Sequence, residues 1–217
     1  MILRRALRSE CVMTYPPMKR GLDFFFSMVL LLIFLPLMVV VGLLALVLQG
    51  RPIFFVQVRP GLCERPFRLV KFRTMSHGNQ ALDGGLGEKY TTRFGKILRS
   101  LSIDELPQLV NILRGDMSFV GPRPLLVEYL PLYSRQQKRR HNVRPGLTGL
   151  AQIEGRNQVS WERRLALDVV YTDNQSLALD TGIVLRSVGL VLTRQGVEAE
   201  GAEMMPPFRG NGFSEAE

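Results

Sequence analysis

The chain has only two cysteines and two histidines in 217 residues. Cys11 and Cys63 are too few for a disulfide framework and lack metal-ligand spacing, which leaves a reducing, cytoplasmic compartment as the default. His77 and His141 cannot build a histidine metal centre between them. Acid is scarce as well, with 19 Asp and Glu against 28 Lys and Arg and a formal net charge of +9. Such a balance requires an anionic partner: nucleic acid, an anionic membrane surface or a phosphorylated substrate. Helix-turn-helix patterning, zinc spacing and an aromatic-rich basic motif are all missing, so nucleic acid is set aside. The glycines between Ser76 and Glu88 form neither a dinucleotide fingerprint nor a P-loop, and no repeat is visible.

One long apolar run is present instead. Phe24 to Leu48 carries no charge, and about 20 helical residues suffice to cross a hydrocarbon core. Pro36, near its middle, removes a helix hydrogen bond and predicts a kink. Two arrangements fit, a kinked spanning helix and a re-entrant hairpin that enters and leaves by one face. A cleaved signal peptide fits worse, because the run is too long and lacks a small-residue cleavage site. Lys19 and Arg20 precede the run while Arg51, Arg59, Arg65 and Arg68 follow it, so charge asymmetry does not separate the two flanks. The chain divides into a basic segment (1–20), a membrane helix (21–50), a folded domain (51–195) and a tail (196–217).

Beyond the membrane run, Ile53 to Val58 and Phe67 to Arg73 predict two short strands, with Lys71 and Arg73 on one face by the period of two. Residues 76–88 read as a loop, and 91–101 as a helix. A second helix ends at Gly115, and its start has two candidates. Ser102 and Glu105 match a capping box, but Asp104 as N-cap moves Pro107 into the tolerant first turn and is preferred. Arg123 lies between Pro122 and Pro124, and Arg144 precedes Pro145-Gly146, so both sit in stiff turns. Leu125 to Arg140 reads as a helix broken at Pro131, and Lys138-Arg139-Arg140-His141 as a solvated or membrane-facing run. Gly155-Arg156-Asn157 adds a basic loop before helices at Trp161 to Tyr171 and Asp180 to Leu192, and the tail from Gly196 has no periodicity.

Asp104 and Glu105 are adjacent carboxylates in this basic chain. A helix dipole alone would favour them at a helix start. Arg99, Arg123 and Arg144 change the reading, because a diphosphate substrate needs such cations. Carboxylates repel bound phosphates unless a hard cation intervenes, so Mg²⁺ is expected. One carboxylate is then free to attack phosphorus while the other holds the metal.

The run RSLSIDELPQLVNILRGDMSFVGPRPLLVEYLP, preceded by RPGLCERPFRLVKFRTM and followed by RHNVRPGLTGLAQIEGRN, resembles the bacterial sugar transferases known as monotopic phosphoglycosyl transferases. The resemblance covers roughly residues 18–210. It implies an α+β fold, with a re-entrant membrane helix hairpin ahead of a compact, mostly helical catalytic domain that has short strands and interfacial helices. It implies a two-step reaction in which Asp104 takes the phosphosugar from a UDP-sugar and releases UMP, and undecaprenyl phosphate then accepts it. Glu105 matches the acidic partner associated with Mg²⁺. Lys71, Arg73, Arg99, Arg123 and Arg144 fall in family motifs as candidate phosphate contacts, and Lys19, Arg20 and Pro36 mark the membrane element. The tail through Phe208 is similar to that of diacetylbacillosamine-1-phosphate transferases, which implies UDP-diacetylbacillosamine as the donor. Anionic phospholipids and pathway glycosyltransferases are the further partners implied, on the cytoplasmic face of a bacterial inner membrane. Leu35 stands before the membrane proline where family members often carry Ser.

Overall fold

The computed structural model describes residues 16–76, 90–154, 159–193 and 206–210. The predicted loop with His77, the Gly155-Arg156-Asn157 loop, Cys11 and most of the tail lie outside the described residues. Helix α1 (Pro17–Gln49) is followed by strands β1 (Phe54–Pro60) and β2 (Pro66–Phe72), then helices α2 (Arg93–Ser100) and α3 (Gln108–Arg114). Next come β3 (Ser118–Val120), α4 (Arg135–Lys138), β4 (Gly146–Thr148), α5 (Leu150–Ile153), α6 (Trp161–Asp173) and α7 (Leu177–Leu192). β1 and β2 form an antiparallel hairpin, and β3 pairs with β4 in parallel. Helix and short strand are mixed, as an α+β chain requires. Cys63, in the hairpin loop, has a left-handed backbone (φ 53°) and is disulfide-bonded, against the reading of the cysteines as those of a reducing compartment.

Helix α1 is 33 residues long and is assigned as helix straight through Pro36. Only 11% of its most apolar window is buried, which a core helix of a soluble protein would not tolerate. The inward stripe recurs at helical spacing: buried Lys19, Asp23 and Ser27, then partly buried Leu30 and Leu31, then buried Val41 and Ala45. Its two halves bury against different parts of the same domain. Leu30 and Leu31 pack with Phe67, Leu69, Leu109, Ile112 and Met117. Val41 packs with Phe72 and Leu98, flanked by Met38 and Ile53.

The segment predicted as one helix from Leu125 to Arg140 is instead a 3-10 stretch (Val127–Leu132), the short α4 and a second 3-10 stretch (Arg139–Asn142). Pro131 interrupts regular helix hydrogen bonding, and Ser134 with Gln137 forms a capping box that restarts it. The tail residue Phe208 is buried among Tyr129, Tyr133 and Trp161, and the Trp161 indole donates to the Pro206 carbonyl at 2.7 Å.

Candidate active site

Asp104 and Glu105 occupy one 3-10 turn, Ile103–Glu105, between α2 and α3. Neither predicted cap forms. Ser102 is left-handed (φ 54°) and makes no side-chain cap, and α3 starts at Gln108 with Pro107 as its N-cap residue. Proline fits there because it has no N–H to satisfy and a backbone already set for a helix. The Asp104 carboxylate is therefore not spent on capping, and among the described residues it accepts no side-chain hydrogen bond and joins no ion pair.

The two carboxylates have opposite electrostatics. Lys71 Nζ and Arg123 Nη2 both approach Glu105 Oε1, at 3.4 and 2.8 Å. Burial pushes the Glu105 carboxyl up, but these two cations outweigh it and hold the group below the usual carboxylate range. Asp104 is 7% exposed. Burial first, and the Glu105 charge second, push it above the ordinary aspartate range, with Lys71, Arg99 and Arg123 only partly opposing them. One carboxylate is thus a fixed anion and its neighbour an unengaged one, the arrangement that separates roles within an acidic pair.

Each cation is placed by its own element. Lys71 lies on the face of β2 that also carries Phe67 and Leu69, and these pack on Leu109 and Ile112 of α3. Asn111 ties the same two elements together: its Nδ2 donates to the Arg68 carbonyl at 2.7 Å and its Oδ1 accepts from Val70 N–H at 3.2 Å. Arg99, in the last turn of α2, donates from Nε to Thr74 Oγ1 at 3.2 Å. Gly95 permits that approach, since a Cβ there would stand 2.0 Å from the Thr74 carbonyl oxygen.

Arg123 rides on residues 118–124, whose polar groups are held from many sides. Asp23 Oδ1 accepts from Ser118 Oγ and Phe119 N–H, each at 3.1 Å, and the Val120 carbonyl accepts from Lys19 Nζ and Tyr171 Oη, each at 2.9 Å. Gly121 N–H donates to Thr148, and the Pro122 carbonyl accepts from Gly146. The two chain segments touch so closely that a Cβ on Gly146 would lie 2.1 Å from Gly121 N. Arg140 Nη2 donates to the Arg123 carbonyl at 2.7 Å, and Arg59 Nη1 to that of Pro124 at 3.4 Å.

Other predicted contacts have different placements. Arg73 is 2% exposed and donates to the carbonyls of Gln49, Gly50 and Arg51, so it closes the C-terminal end of α1. Arg144 Nε donates to the Gly115 carbonyl at 2.7 Å, at the opposite end of α3 from the acidic pair. Arg20 caps that same end through Ile112 and Leu113. Lys19, read as a basic membrane flank, is buried in a network with Asp180, Tyr171 and Val120. Pro36 stays exposed on α1. The solvated reading of Lys138 to His141 is corrected for Arg140 and His141, both of which are buried. Asp168 requires this, because a carboxylate on the buried face of α6, beside Leu165 and Thr172, needs a buried cation. That spacing was the available signal for Arg140, and it was missed.

Among the described residues no group of three or more His, Cys, Asp or Glu is placed to hold a metal. The donors present are the two neighbouring carboxylates, which suits Mg²⁺ bound through one or two carboxylates plus substrate phosphate and water, and not an all-protein cage.

The bacterial sugar transferase family matches residues 14–194. The chain belongs to that family. It is 52% identical over 168 residues to the uncharacterized sugar transferase EpsL of Bacillus subtilis, covering 75% of this chain and 81% of that protein. It is 41% identical over 186 residues to the UDP-glucose:undecaprenyl-phosphate glucose-1-phosphate transferase of Caulobacter vibrioides, covering 81% and 70% respectively. A third relative is the UDP-N-acetylgalactosamine-undecaprenyl-phosphate N-acetylgalactosaminephosphotransferase of Aeromonas hydrophila, 37% identical over 193 residues, or 84% of this chain and 45% of that protein.

Proposed function

We propose that this protein transfers a sugar-1-phosphate from a UDP-sugar to undecaprenyl phosphate through a covalent intermediate on Asp104. The observation that carries the reading is the unequal pair: Glu105 is held as an anion by direct contacts from Lys71 and Arg123, while Asp104 beside it, among the described residues, accepts no side-chain hydrogen bond and joins no ion pair. An Asp104 oxygen attacks and bonds the sugar-linked phosphorus, the bond from that phosphorus to the bridging oxygen of the diphosphate breaks, and UMP departs with the bridging oxygen. An oxygen of undecaprenyl phosphate then attacks the acyl phosphate, which frees Asp104 and forms the polyprenyl diphosphate sugar. Lys71, Arg99 and Arg123 supply the positive field in which the diphosphate sits. Glu105 would hold a bound Mg²⁺, which would supply charge neutralisation at the diphosphate.

The donor remains to be chosen by experiment. Two of the relatives above are named for UDP-glucose and UDP-N-acetylgalactosamine, whereas the tail resemblance favours UDP-diacetylbacillosamine. Purified enzyme in detergent or nanodiscs, given undecaprenyl phosphate and each of these donors with Mg²⁺, should release UMP from one of them and lose that release on chelation. Absence of UMP from every donor, or turnover unaffected by chelator, counts against the reading.

The same proposal places α1 as a re-entrant element. From Lys19 to Ala45 a straight helix would rise about 39 Å, more than the roughly 30 Å hydrocarbon core. Yet Lys19, at one end, reaches Val120 and Asp180, and Arg73 closes the other end at Gln49 and Gly50. A spanning helix would put those parts of one domain on opposite sides of the bilayer. Exposed Arg51, Arg65 and Arg68 then face anionic phospholipid headgroups at the cytoplasmic surface. Single cysteines at Met18 and Arg51, both exposed, should label from the cytoplasmic side only. Labelling of the two from opposite sides eliminates the hairpin.

A further inference from the structure

Arg140 lies in the interior, in a run of charge that looks like surface. Its side chain is 1% exposed and that of its partner Asp168 2%. Its Nε and Nη2 donate to Asp168 Oδ2 at 3.0 and 2.7 Å, and Nη1 donates to Tyr133 Oη at 3.3 Å. The same Nη2 donates to the backbone carbonyl of Arg123 at 2.7 Å. The guanidinium plane stands over the Tyr133 ring, 5.6 Å from its centroid, and Tyr133 in turn stacks on Phe208. The network meets the turn that presents Arg123 to Glu105 through one hydrogen bond, from Arg140 Nη2 to the Arg123 carbonyl.

A buried ion pair is a weak source of net stability, because desolvation offsets most of its attraction. Its geometry is informative nonetheless. A lysine at 140 would keep a charge for Asp168 but has no planar fork to reach the carboxylate, the phenol and the Arg123 carbonyl together. Pro122 and Pro124 limit the backbone on either side of Arg123, so its carbonyl and its Cα–Cβ bond move together, and the Glu105 contact at 2.8 Å fixes the far end of the side chain. Fixing the carbonyl therefore fixes where the guanidinium starts.

We propose that Arg140 is a positioning residue for the transfer reaction: held by Asp168 and Tyr133, it sets Arg123 against Glu105 through the Arg123 carbonyl. This rests on the reading of Arg123 and Glu105 as part of the reaction site. Arg140 itself touches neither carboxylate of the pair.

A double-mutant cycle separates positioning from plain structural support. UMP release is measured with UDP-glucose, UDP-N-acetylgalactosamine and UDP-diacetylbacillosamine. With whichever donor the parent turns over, the parent, Arg140→Lys, Arg123→Ala and the double variant are compared, with thermal unfolding of each as a check on folding. Arg140→Lys should lower kcat/KM roughly 10- to 100-fold in the parent, the scale of a misplacement near 1 Å. In the Arg123→Ala background the same change should cost less than about threefold. Equal losses in both backgrounds, or no loss in the parent, overturn the positioning role. Full activity of Arg123→Ala alone overturns the site reading instead, so the two failures are distinguishable. If Arg140→Lys does not fold, Tyr133→Phe, which removes one Arg140 partner and keeps the ring, runs through the same cycle. Its smaller loss, about threefold, should likewise vanish when Arg123 is absent, and persistence of that loss overturns the proposal.

Discussion

Helix α3 has charge at both ends, and the two ends use it differently. At its C-terminal end Arg20 donates to the Ile112 and Leu113 carbonyls and Arg144 to that of Gly115, each at 2.7 Å. These carbonyls lie at the C-terminal end of the helix, at the negative end of its dipole; Ile112 also accepts from Gly115 N–H at 3.0 Å, and the guanidiniums complete the hydrogen bonding there. Ahead of its N-terminal end, Lys71 and Arg123 meet on Glu105, and Asp104 caps nothing. The cations at one end complete a helix; those at the other leave one carboxylate poised. Arg123 and Arg144 border the paired strands β3 and β4 in similar proline turns, yet their guanidiniums serve opposite ends of α3. A rigid turn fixes where an arginine starts and says little about where its guanidinium goes.

The largest expected effect tests the poised end. Asp104→Asn should reduce UMP release by roughly a thousandfold or more, because the amide is no nucleophile. It should not reduce stability. Burial and the Glu105 charge raise the Asp104 carboxyl in the folded chain, so the folded protein loses stability as pH rises through that value. A neutral residue removes the penalty, and the thermal unfolding midpoint should hold or increase. A clear fall in midpoint would assign Asp104 a structural job and erase the contrast between the ends.

The next effect compares the ends directly. Lys71→Ala or Arg123→Ala should lower kcat/KM by about 100-fold, as loss of a group facing developing charge does, with a fall in stability as well, because each cation helps hold Glu105 ionised in the folded chain. Arg20→Ala or Arg144→Ala should cost about 1–3 kcal/mol of stability through unsatisfied carbonyls, with activity of the remaining folded enzyme within about threefold. Parallel activity and denaturation measurements on the four variants decide it. Loss of activity in Arg144→Ala at unchanged stability would extend the site to the second turn.

Much of this was legible where local physics decides. The β hairpin follows from alternation around Pro60-Gly61, the stop at Gly115 from its left-handed backbone (φ 91°), and the acidic pair from its charge contrast with the chain. What could not be read was direction over long range. Nothing local to Arg73 shows that its donors turn to the end of α1, 22 to 24 residues away in sequence. Nor does a run such as Lys138 to His141 announce that its third residue is buried, unless Asp168 on the apolar face of α6 is read as a demand for a partner. Phe208 was hidden for a related reason, since an isolated aromatic in an aperiodic tail has no face to declare until Tyr129, Tyr133 and Trp161 are assembled around it.

The smallest effect probes the electrostatic coupling inside the pair. Attack on phosphorus needs Asp104 ionised, so the first half-reaction should fail on the acid side with a midpoint above the ordinary aspartate value of about 4. Single-turnover UMP release without undecaprenyl phosphate isolates that step from the titration of the acceptor. Burial is the leading cause of the raised value and the Glu105 charge the next. Glu105→Gln removes that charge and leaves Lys71 and Arg123 without it, and both changes favour ionised Asp104. The acid limb of the residual activity should therefore move to lower pH, by about one unit, while burial keeps it from returning to 4. A limb that does not move means that the titrating group is not Asp104, or that Glu105 does not act on it.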